Sequence, residues 1–437
     1  MLILALVPAF AAEAELLVSS RMIHVRREPS SSSPLRGTIP ANEPFRVLSR
    51  VEGRGCEGGW GLVEARGYTC LSWATPTEEQ PVALPRLLAF DPPTPDEYWS
   101  YRETGTWERD PPETAEPLLP LIYGKRWRRW SAPVWPSLRD YERGRPTEEQ
   151  LDTTRKHAFA REVQTARGTV LVKEDGSTVP LDKVYVYPTS RFQGRDMVDN
   201  PLPADILPAW VFRYDGGRVR LAPDPQAEIA LTLPHHQHLV VDASPASPDG
   251  RWWRIPNGAG PGVDGYVDSQ EDIRRWYEAP PPPEVGEDQL WIDIERSQQV
   301  LAVRQGARLL YVTLISSGTA GRWESPRGLY EIYDQMTWSD MASLEGAEEQ
   351  YHVEKVPWIA HFYPRLALHG AFWHWGFGHK VSHGCINLAP RDADWIMDRV
   401  QPALPDGWRA VYLEPDEPGT LLRIREGDTE PPDKRQR

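Results

Sequence analysis

The sequence has few cysteines, and they are not grouped. Only three cysteines, Cys56, Cys70 and Cys385, occur among 437 residues, and no two of them form a Cys-x-x-Cys pair. Dithiol redox motifs and structural zinc knuckles both depend on such closely spaced pairs. The sequence therefore predicts neither a redox pair nor a structural metal site.

Positive charge and long apolar runs are also scarce. Lys and Arg total 49 against 63 Asp and Glu, which gives a formal net charge of −14. Because a nucleic-acid surface requires a basic face, we expect no nucleic-acid partner. After the N-terminus no segment is long and apolar enough for a transmembrane helix. With 40% hydrophobic residues, the chain is expected to be globular, and its length predicts about three domains.

The N-terminal segment 1–14 resembles a signal peptide. Residues 2–12 form an apolar run followed by small residues typical of a signal-peptidase site, although a basic stretch before the run is missing. Export is therefore the expectation, and a buried N-terminal strand is the alternative. In an oxidising compartment Cys56 and Cys70, which flank a predicted hairpin, would form a disulfide; two buried thiols are the alternative. Cys385 would remain unpaired, as a reactive thiol or an intermolecular partner.

Short strands separated by Pro, Ser and Gly clusters dominate the chain before residue 278. In residues 15–82, "VRREP", "GTIP" and "GWGLV" resemble the pattern of bacterial SH3-like domains. A similar order, ending in "GRWWRI" and "DGYV", recurs in residues 206–277 and predicts a second SH3-like domain. Residues 117–205 are expected to form a divergent β module, with a third SH3-like copy as one interpretation. The remaining predicted segments are an acidic, Pro-rich linker at 83–116, a Pro-rich linker at 278–287 and a disordered tail at 427–437.

Residues 288–426 are predicted to form a mostly β domain with one short helix. Three strands with clear turn signals begin this segment, and "DADWIMDRV" places Ala393, Ile396, Met397 and Val400 on one helical face just after Cys385. The predicted fold class is therefore mainly β: small SH3-like barrels followed by a β-rich domain with a short helix.

The stretch "LHGAFWHWGFGHKVSHGCINLAP" contains Cys385 and four of the eleven histidines. Nucleophilic catalysis requires a thiolate, an imidazole within reach and donors for an oxyanion. His369 lies 16 positions before Cys385, which is enough chain for a loop to bring the two together. Backbone amides of His383, Gly384 and Cys385 are candidate oxyanion donors.

The motif formed by His369, Gly370, Ser382, His383, Gly384, Cys385 and Asn387 resembles the signature of the L,D-transpeptidase catalytic domain of the YkuD type. "WIDI" and "SPRGLYEI" resemble the first strands and hairpin of that family. Ala371 and Ser325 stand where many members have Thr. The order of His before Cys argues against the alternative of a cysteine endopeptidase, in which the cysteine usually comes first.

The resemblance implies a role for each residue of the motif. Cys385 would be the acylated nucleophile and His369 the general base and acid, with an imidazolium lowering the pKa of the thiol. His383, Gly384 and Gly370 would frame the oxyanion site. Ser382 and Asn387 would orient neighbouring groups, or merely satisfy the turn. His374 and His379 are expected at the solvent-facing rim of a mobile loop, while Trp358, Trp373 and Trp375 pack beside the site or stack on substrate.

The resemblance also implies the reaction. The substrates would be peptidoglycan stem peptides, in the periplasm or cell envelope of a bacterium, and no cofactor would be needed. Transfer of the acyl group to the amine of another stem peptide forms a 3→3 crosslink, and transfer to water makes the enzyme an L,D-carboxypeptidase. Transfer to a lipoprotein lysine anchors that protein to the wall, and a hydrolysing variant would cleave such a link. The β modules would bind wall peptide or glycan, or act as spacers. A non-catalytic wall-binding scaffold is the remaining alternative, and the intact Cys385 and His369 argue against it.

Overall fold

The computed structural model describes residues 14–82, 119–127, 130–321, 323–343 and 350–427. Most of the signal-like segment, the predicted linker 83–116 and all but the first residue of the predicted tail lie outside these residues. The mainly β fold class is confirmed. No helix among the described residues is long and apolar enough to cross a membrane.

The chain divides into two compact units. The first contains Met1–Arg86, Tyr333–Thr337 and Gln401–Pro418, and the second contains Leu87–Ile332, Trp338–Val400 and Gly419–Arg437. The segment predicted as one domain, 288–426, therefore contributes to both units.

Residues 15–82 form an antiparallel sheet in the first unit. Its strand order is β3-β2-β6-β5-β4-β1-β7. Apolar and polar residues alternate along the strands, so that one face buries Val25, Ile39 and Phe45. Cys56 and Cys70 are joined by a disulfide, with Cα atoms 5.6 Å apart. The strands are β1 (Glu15–Ser19), β2 (Ile23–Arg26), β3 (Leu35–Ile39), β4 (Pro44–Val51), β5 (Trp60–Val63), β6 (Tyr68–Cys70) and β7 (Ala74–Pro76).

Residues 119–196 form a β-rich segment of the second unit. One group has the order β13-β8-β9 and another the order β10-β11-β12, both antiparallel. Phe159, Leu171 and Val179 are buried between them. The elements are β8 (Ile122–Arg126), α1 (Leu138–Glu142), β9 (Arg155–Phe159), β10 (Arg161–Thr165), β11 (Gly168–Val172), β12 (Thr178–Pro180), a 3₁₀ turn (Leu181–Lys183), β13 (Val184–Val186) and β14 (Arg195–Asp196).

Residues 206–275 form two small antiparallel sheets, also in the second unit. Their orders are β18-β15-β21 and β17-β16-β20-β19, and Val211, Val219 and Trp253 belong to their common core. The resemblance to SH3-like domains stays a prediction here and for residues 15–82. The strands are β15 (Ile206–Val211), β16 (Gly217–Arg220), β17 (Ile229–Leu233), β18 (His238–Asp242), β19 (Trp252–Gly260), β20 (Val263–Asp268) and β21 (Ile273–Arg275).

The C-terminal part of the chain supplies ten more strands and the predicted helix. A six-stranded sheet of the second unit has the order β14-β24-β23-β22-β31-β25. In the first unit, β30 pairs with β3, and Trp408 and Val411 join its core. The elements are β22 (Leu290–Glu295), β23 (Val300–Gln305), β24 (Arg308–Leu314), β25 (Gly328–Glu331), β26 (Asp334–Ala342), β27 (His352–Tyr363), β28 (Leu366–Gly370), β29 (Ile386–Leu388), α2 (Pro390–Met397), β30 (Ala410–Tyr412) and β31 (Leu421–Arg425).

The Pro-rich segment 278–287 is fixed to this six-stranded sheet. Arg304 donates to the carbonyl of Ala279 (2.7 Å), and Arg423 donates to that of Pro280 (2.8 Å). Arg423 also donates two hydrogen bonds to the buried carboxylate of Asp293. The Pro-rich segment therefore does not separate the two compact units.

Candidate active site

His369 lies in β28, and Cys385 directly precedes β29, the strand that pairs with β28. β28 and β29 are parallel, with Leu368 opposite Ile386 and His369 opposite Asn387. Side chains alternate along a strand, and extending this alternation one position before Ile386 predicts that Cys385 shares the face of His369. The pairing thus brings two segments side by side, one containing His369 and the other following Cys385, although these residues are 16 positions apart in sequence.

The thiol of Cys385 lies against the backbone of the β27–β28 hairpin. The Ala367 amide donates a hydrogen bond to Sγ, and the thiol points to the carbonyl oxygen of Arg365 at 3.8 Å. Burial raises the pKa of the thiol, and the Ala367 amide acts in the opposite direction. Before reaction Cys385 is therefore a neutral thiol. The hydrogen bond from the Ala367 amide would stabilise its sulfur once the thiolate forms.

The His369 imidazole is almost fully buried, at 2% exposure. Nδ1 lies 3.2 Å from the carbonyl oxygen of Gly370, so Nδ1–H is the donor and Nε2 carries the free lone pair. Burial lowers the pKa of His369 to about 4, although the Gly370 carbonyl partly opposes this shift. The ring is therefore neutral near pH 7, in the tautomer that accepts a proton at Nε2.

These two pKa directions correct one sequence-based expectation. An imidazolium beside Cys385 was expected to lower the pKa of the thiol. Instead, burial raises the pKa of Cys385 and lowers that of His369, so both groups are neutral at rest. Such a pair is suited to proton transfer during attack, with His369 as general base, rather than to a preformed thiolate–imidazolium pair.

The turn before Cys385 is held by two buried hydroxyl groups. Ser382 Oγ donates to the Cys385 carbonyl (2.5 Å) and accepts from the Gly384 amide (3.1 Å). Ser325 Oγ donates to the Gly384 carbonyl at 2.8 Å. Gly384 has a φ of +112°, a conformation that favours glycine. The Gly384 amide is thus already bound, and its role as an oxyanion donor stays a prediction.

Asn387 and His374 form a second hydrogen-bonded pair. The Asn387 side chain lies 2.8 Å from His374 Nε2, and the Gly376 amide donates to His374 Nδ1. Because Nδ1 accepts, Nε2 carries the proton, so the partner atom on Asn387 must be its amide oxygen. With this orientation Asn387 Oδ1 accepts a hydrogen bond from His374. In the opposite orientation of the amide, Oδ1 would be buried without a partner. Asn387 therefore ties the loop after β28 to β29.

The ring of His383 packs against two aromatic side chains. These are Trp323 and Tyr351, with ring centroids 4.8 and 5.1 Å away. The pKa of Tyr351 is raised by burial and by its closeness to Cys385. His383 and Tyr351 thus belong to the surroundings of the thiol, and the framing role of His383 stays a prediction.

Gly370 is required by close packing behind the site. A Cβ at this position would lie 2.8 Å from a ring carbon of Trp358, inside normal contact distance. Trp358 is buried, at 4% exposure, and has a φ of +52°. Any larger residue at Gly370 would push β28 away from Trp358 and displace the neighbouring His369. Trp358 therefore packs beneath the site, in agreement with one of its two predicted roles.

Residues 371–381, called here the site loop, are held by the two preceding β segments. His379 Nε2 bonds to the Phe212 carbonyl at 2.8 Å, and His236 Nε2 bonds to the Phe377 carbonyl at 3.1 Å. Trp375 Nε1 donates to the carbonyl of Pro188 at 3.3 Å. The rings of His374 and His379 therefore anchor the loop by hydrogen bonds, and their position at the rim of the site stays a prediction.

Sequence reasoning missed the backbone groups of the site. The Ala367 amide and the carbonyls of Arg365 and Gly370 carry no side-chain signature, and only the strand register reveals them. Tyr351 was also missed, since 34 positions separate it from Cys385. Within the described part of the chain, no three His, Cys, Asp or Glu side chains are grouped as metal ligands.

Comparison with known proteins gives one family match, and it covers the C-terminal part of the chain. Residues 288–424 match the YkuD family model, the L,D-transpeptidase catalytic domain. The search of curated proteins found no match.

Solved structures similar to this chain include three L,D-transpeptidases. The enzyme of Enterococcus faecium is 15% identical, over 33% of this chain and 51% of its own, with a TM-score of 0.26. The enzyme of Mycobacterium smegmatis is 18% identical, over 50% of this chain and 99% of its own, with a TM-score of 0.26. L,D-transpeptidase 3 of Mycobacterium tuberculosis is 15% identical, over 43% of this chain and 91% of its own, with a TM-score of 0.26.

This chain thus spans about half the length of the E. faecium structure. The resemblance predicted from the sequence motif is confirmed by the family model. The segment that carries His369 and Cys385 is similar to the L,D-transpeptidase catalytic domain.

Proposed function

We propose that this protein is a peptidoglycan L,D-transpeptidase with Cys385 as its nucleophile. The observation that supports the proposal is the pairing of β28, which contains His369, with β29, which directly follows Cys385, within a segment that matches the YkuD family model. Because members of this family act on the cell wall, the protein would work in the cell envelope.

Acylation begins with proton transfer from the Cys385 thiol to Nε2 of His369. The sulfur attacks the carbonyl carbon of the third stem-peptide residue, at its L-centre, and the Ala367 amide stabilises the thiolate as it forms. The backbone amides of His383 and Cys385 are the candidate donors to the oxyanion. When the intermediate collapses, the carbon–nitrogen bond breaks, His369 returns the proton to the leaving amine, and D-alanine departs.

Deacylation reverses the proton movements. The amine of a second stem peptide attacks the thioester carbonyl and gives up a proton to His369 Nε2. The carbon–sulfur bond then breaks and Cys385 recovers its proton from His369, leaving a new 3→3 amide bond. Water in place of the amine would yield the tripeptide instead, by the same residues.

The two outcomes are distinguished by incubation with a purified tetrapeptide donor, followed by chromatography and mass spectrometry of the products. The proposal expects release of D-alanine together with a crosslinked dimer. Free tripeptide without dimer would identify a carboxypeptidase. Cys385→Ala and His369→Ala should release no D-alanine, and Ser339→Ala is a matched control outside the site. Unchanged D-alanine release by Cys385→Ala would refute the proposal.

A further inference from the structure

A cleft lined by aromatic rings lies beside the candidate active site. It has a volume of about 250 Å³ and is formed by the β8–β13 region and the site loop. Its lining includes Trp127, Tyr185 and Tyr187 on one side and Trp373 and Trp375 on the other. We call it the aromatic cleft. Trp127 and Trp375 are 45% and 47% exposed, so their ring faces are open to a ligand.

A continuous series of ring contacts leads from this cleft to His369. Tyr185 contacts Tyr187 with centroids 5.5 Å apart, Tyr187 contacts Phe372 at 5.8 Å, and Phe372 contacts Trp373 at 4.9 Å. Trp373 in turn stacks on His369 at 5.6 Å. A molecule bound in the aromatic cleft therefore lies one side chain away from the general base.

Two lysines face each other here, Lys125 in the lining of the cleft and Lys156 next to Trp373 of that lining. The register of β8 and β9 pairs Tyr123 with Ala158 and Gly124 with His157, so the next pair is Lys125 with Lys156. Like charges directly opposite each other destabilise a sheet. Lys156 is mostly buried, and both desolvation and Lys125 lower its pKa. Within the described part of the chain, neither ammonium group has a carboxylate at ion-pair distance.

Both ammonium groups are directed at rings next to the cleft. Lys125 Nζ lies 5.5 Å from the ring centroid of Tyr185 and 5.7 Å from that of Tyr187. Lys156 Nζ lies 5.7 Å from the centroid of Trp373. The cations thus stand where an anionic group in the cleft would meet them, and such a group would relieve their mutual repulsion.

We propose that the aromatic cleft binds a carboxylate-bearing part of the stem peptide, with Lys125 and Lys156 pairing with the carboxylate. This inference rests on the proposed function and adds a substrate subsite supplied by the β module before residue 196. The exposed faces of Trp127 and Trp375 cover the apolar and amide surfaces of the peptide. An uncharged glycan strand would use the same rings but would leave the two ammonium groups without a partner.

The test measures binding of a synthetic tetrapeptide to the full chain carrying Cys385→Ala, by calorimetry. The same peptide with amidated carboxylates serves as the matched ligand. We expect the free acid to bind about tenfold more tightly than the amidated peptide, as is typical when a charge-assisted hydrogen bond is lost. Lys125→Met with Lys156→Met should remove this preference, while Lys183→Met, a lysine of the same module outside the cleft, should keep it.

Several results would overturn the proposal. It fails if the lysine variant still prefers the free acid, or if the peptide does not bind at all. It also fails if a peptide-free glycan fragment displaces the tetrapeptide and this displacement depends on Trp375 but not on the two lysines. Alkylation of native Cys385 by neutral iodoacetamide, compared in the native and lysine-variant backgrounds, shows whether the reacting site is intact. If native protein releases D-alanine and the lysine variant has an unchanged KM, only the subsite is wrong. If native protein releases none, the proposed function fails independently of the binding result.

Discussion

The Ser382 hydroxyl holds the turn that presents Cys385, and Ser382→Ala removes two hydrogen bonds of that turn. Ser382 is 6% exposed, so water does not readily replace the lost partners of the Gly384 amide and the Cys385 carbonyl. A net hydrogen bond contributes about 1 kcal/mol, and a buried group left without a partner costs about 1–3 kcal/mol. The variant should therefore lose about 2–4 kcal/mol of local stability.

This loss is large enough to change the reactivity of Cys385. A change of 1.4 kcal/mol corresponds to tenfold in an equilibrium constant, so 2 kcal/mol would reduce the equilibrium constant between the ordered and the disordered turn about thirtyfold. The bond from Ser325 to the Gly384 carbonyl remains and keeps part of the order. We therefore expect the rate of Cys385 acylation to fall at least about tenfold.

The assay is the rate of acylation by a carbapenem, followed by intact mass spectrometry, together with urea unfolding of each variant. Ser382→Thr keeps a hydroxyl and should recover most of the rate. Ser339→Ala is the surface control, because among the described residues Ser339 Oγ makes a single 3.4 Å contact, with the neighbouring Asp340 carbonyl. Acylation of Ser382→Ala at the native rate, with an unchanged urea midpoint, would refute this account of the turn.

Three further predictions follow from the pKa shifts and the contacts. Because the pKa of His369 is lowered to about 4, the acylation rate should reach half its plateau near pH 4 as pH falls; a midpoint near 6.5 would contradict this. Burial raises the pKa of Glu354, but bonds from His157, the Ala158 amide and Lys173 outweigh it and lower the pKa to about 2. The free energy of unfolding of Glu354→Gln should thus be about 2–3 kcal/mol lower than that of wild-type protein at pH 7. Wild-type protein should lose the same contribution as pH falls from about 4.3 towards 2. Equal urea midpoints of the two proteins at pH 7 would refute this prediction. Reduction of the Cys56–Cys70 disulfide should add two daltons to the intact mass, and no change would exclude the bond.

The predictions from sequence succeeded where the signal is local. The helix after Cys385 follows from the spacing of Ala393, Ile396 and Met397, and the structure places α2 at Pro390–Met397. The part of the motif from Ser382 to Cys385 likewise consists of consecutive residues. Its turn geometry needs glycine at position 384 and a hydroxyl at position 382, so the residue types themselves carry the information.

The sequence did not reveal features that depend on distant contacts. The site loop is anchored by His379 to Phe212, which is 167 positions away, and no local pattern marks such a bond. The joining of β30 to β3 in the first unit is similarly non-local. Lys125 and Lys156 became a pair only through the register of β8 and β9, since 31 positions separate them in sequence.

The electrostatic state of the site was also beyond the sequence. A histidine and a cysteine in one catalytic motif suggest an ion pair. Burial nevertheless decides the protonation state of both groups. Burial lowers the pKa of His369 and raises that of Cys385, so the neutral pair is the resting state. The degree of burial depends on packing against Trp373 and the β27–β28 hairpin, which sequence spacing does not specify.

The central claim is that Cys385 is an acylated nucleophile activated by His369, and intact mass spectrometry after exposure to a carbapenem tests it most directly. Opening of the β-lactam ring by the thiol adds the whole molecule. The account predicts a mass increase of one carbapenem per native chain, a strongly slowed increase for His369→Ala and no increase for Cys385→Ala. Native protein that remains unmodified, or an adduct that persists in Cys385→Ala, would contradict it.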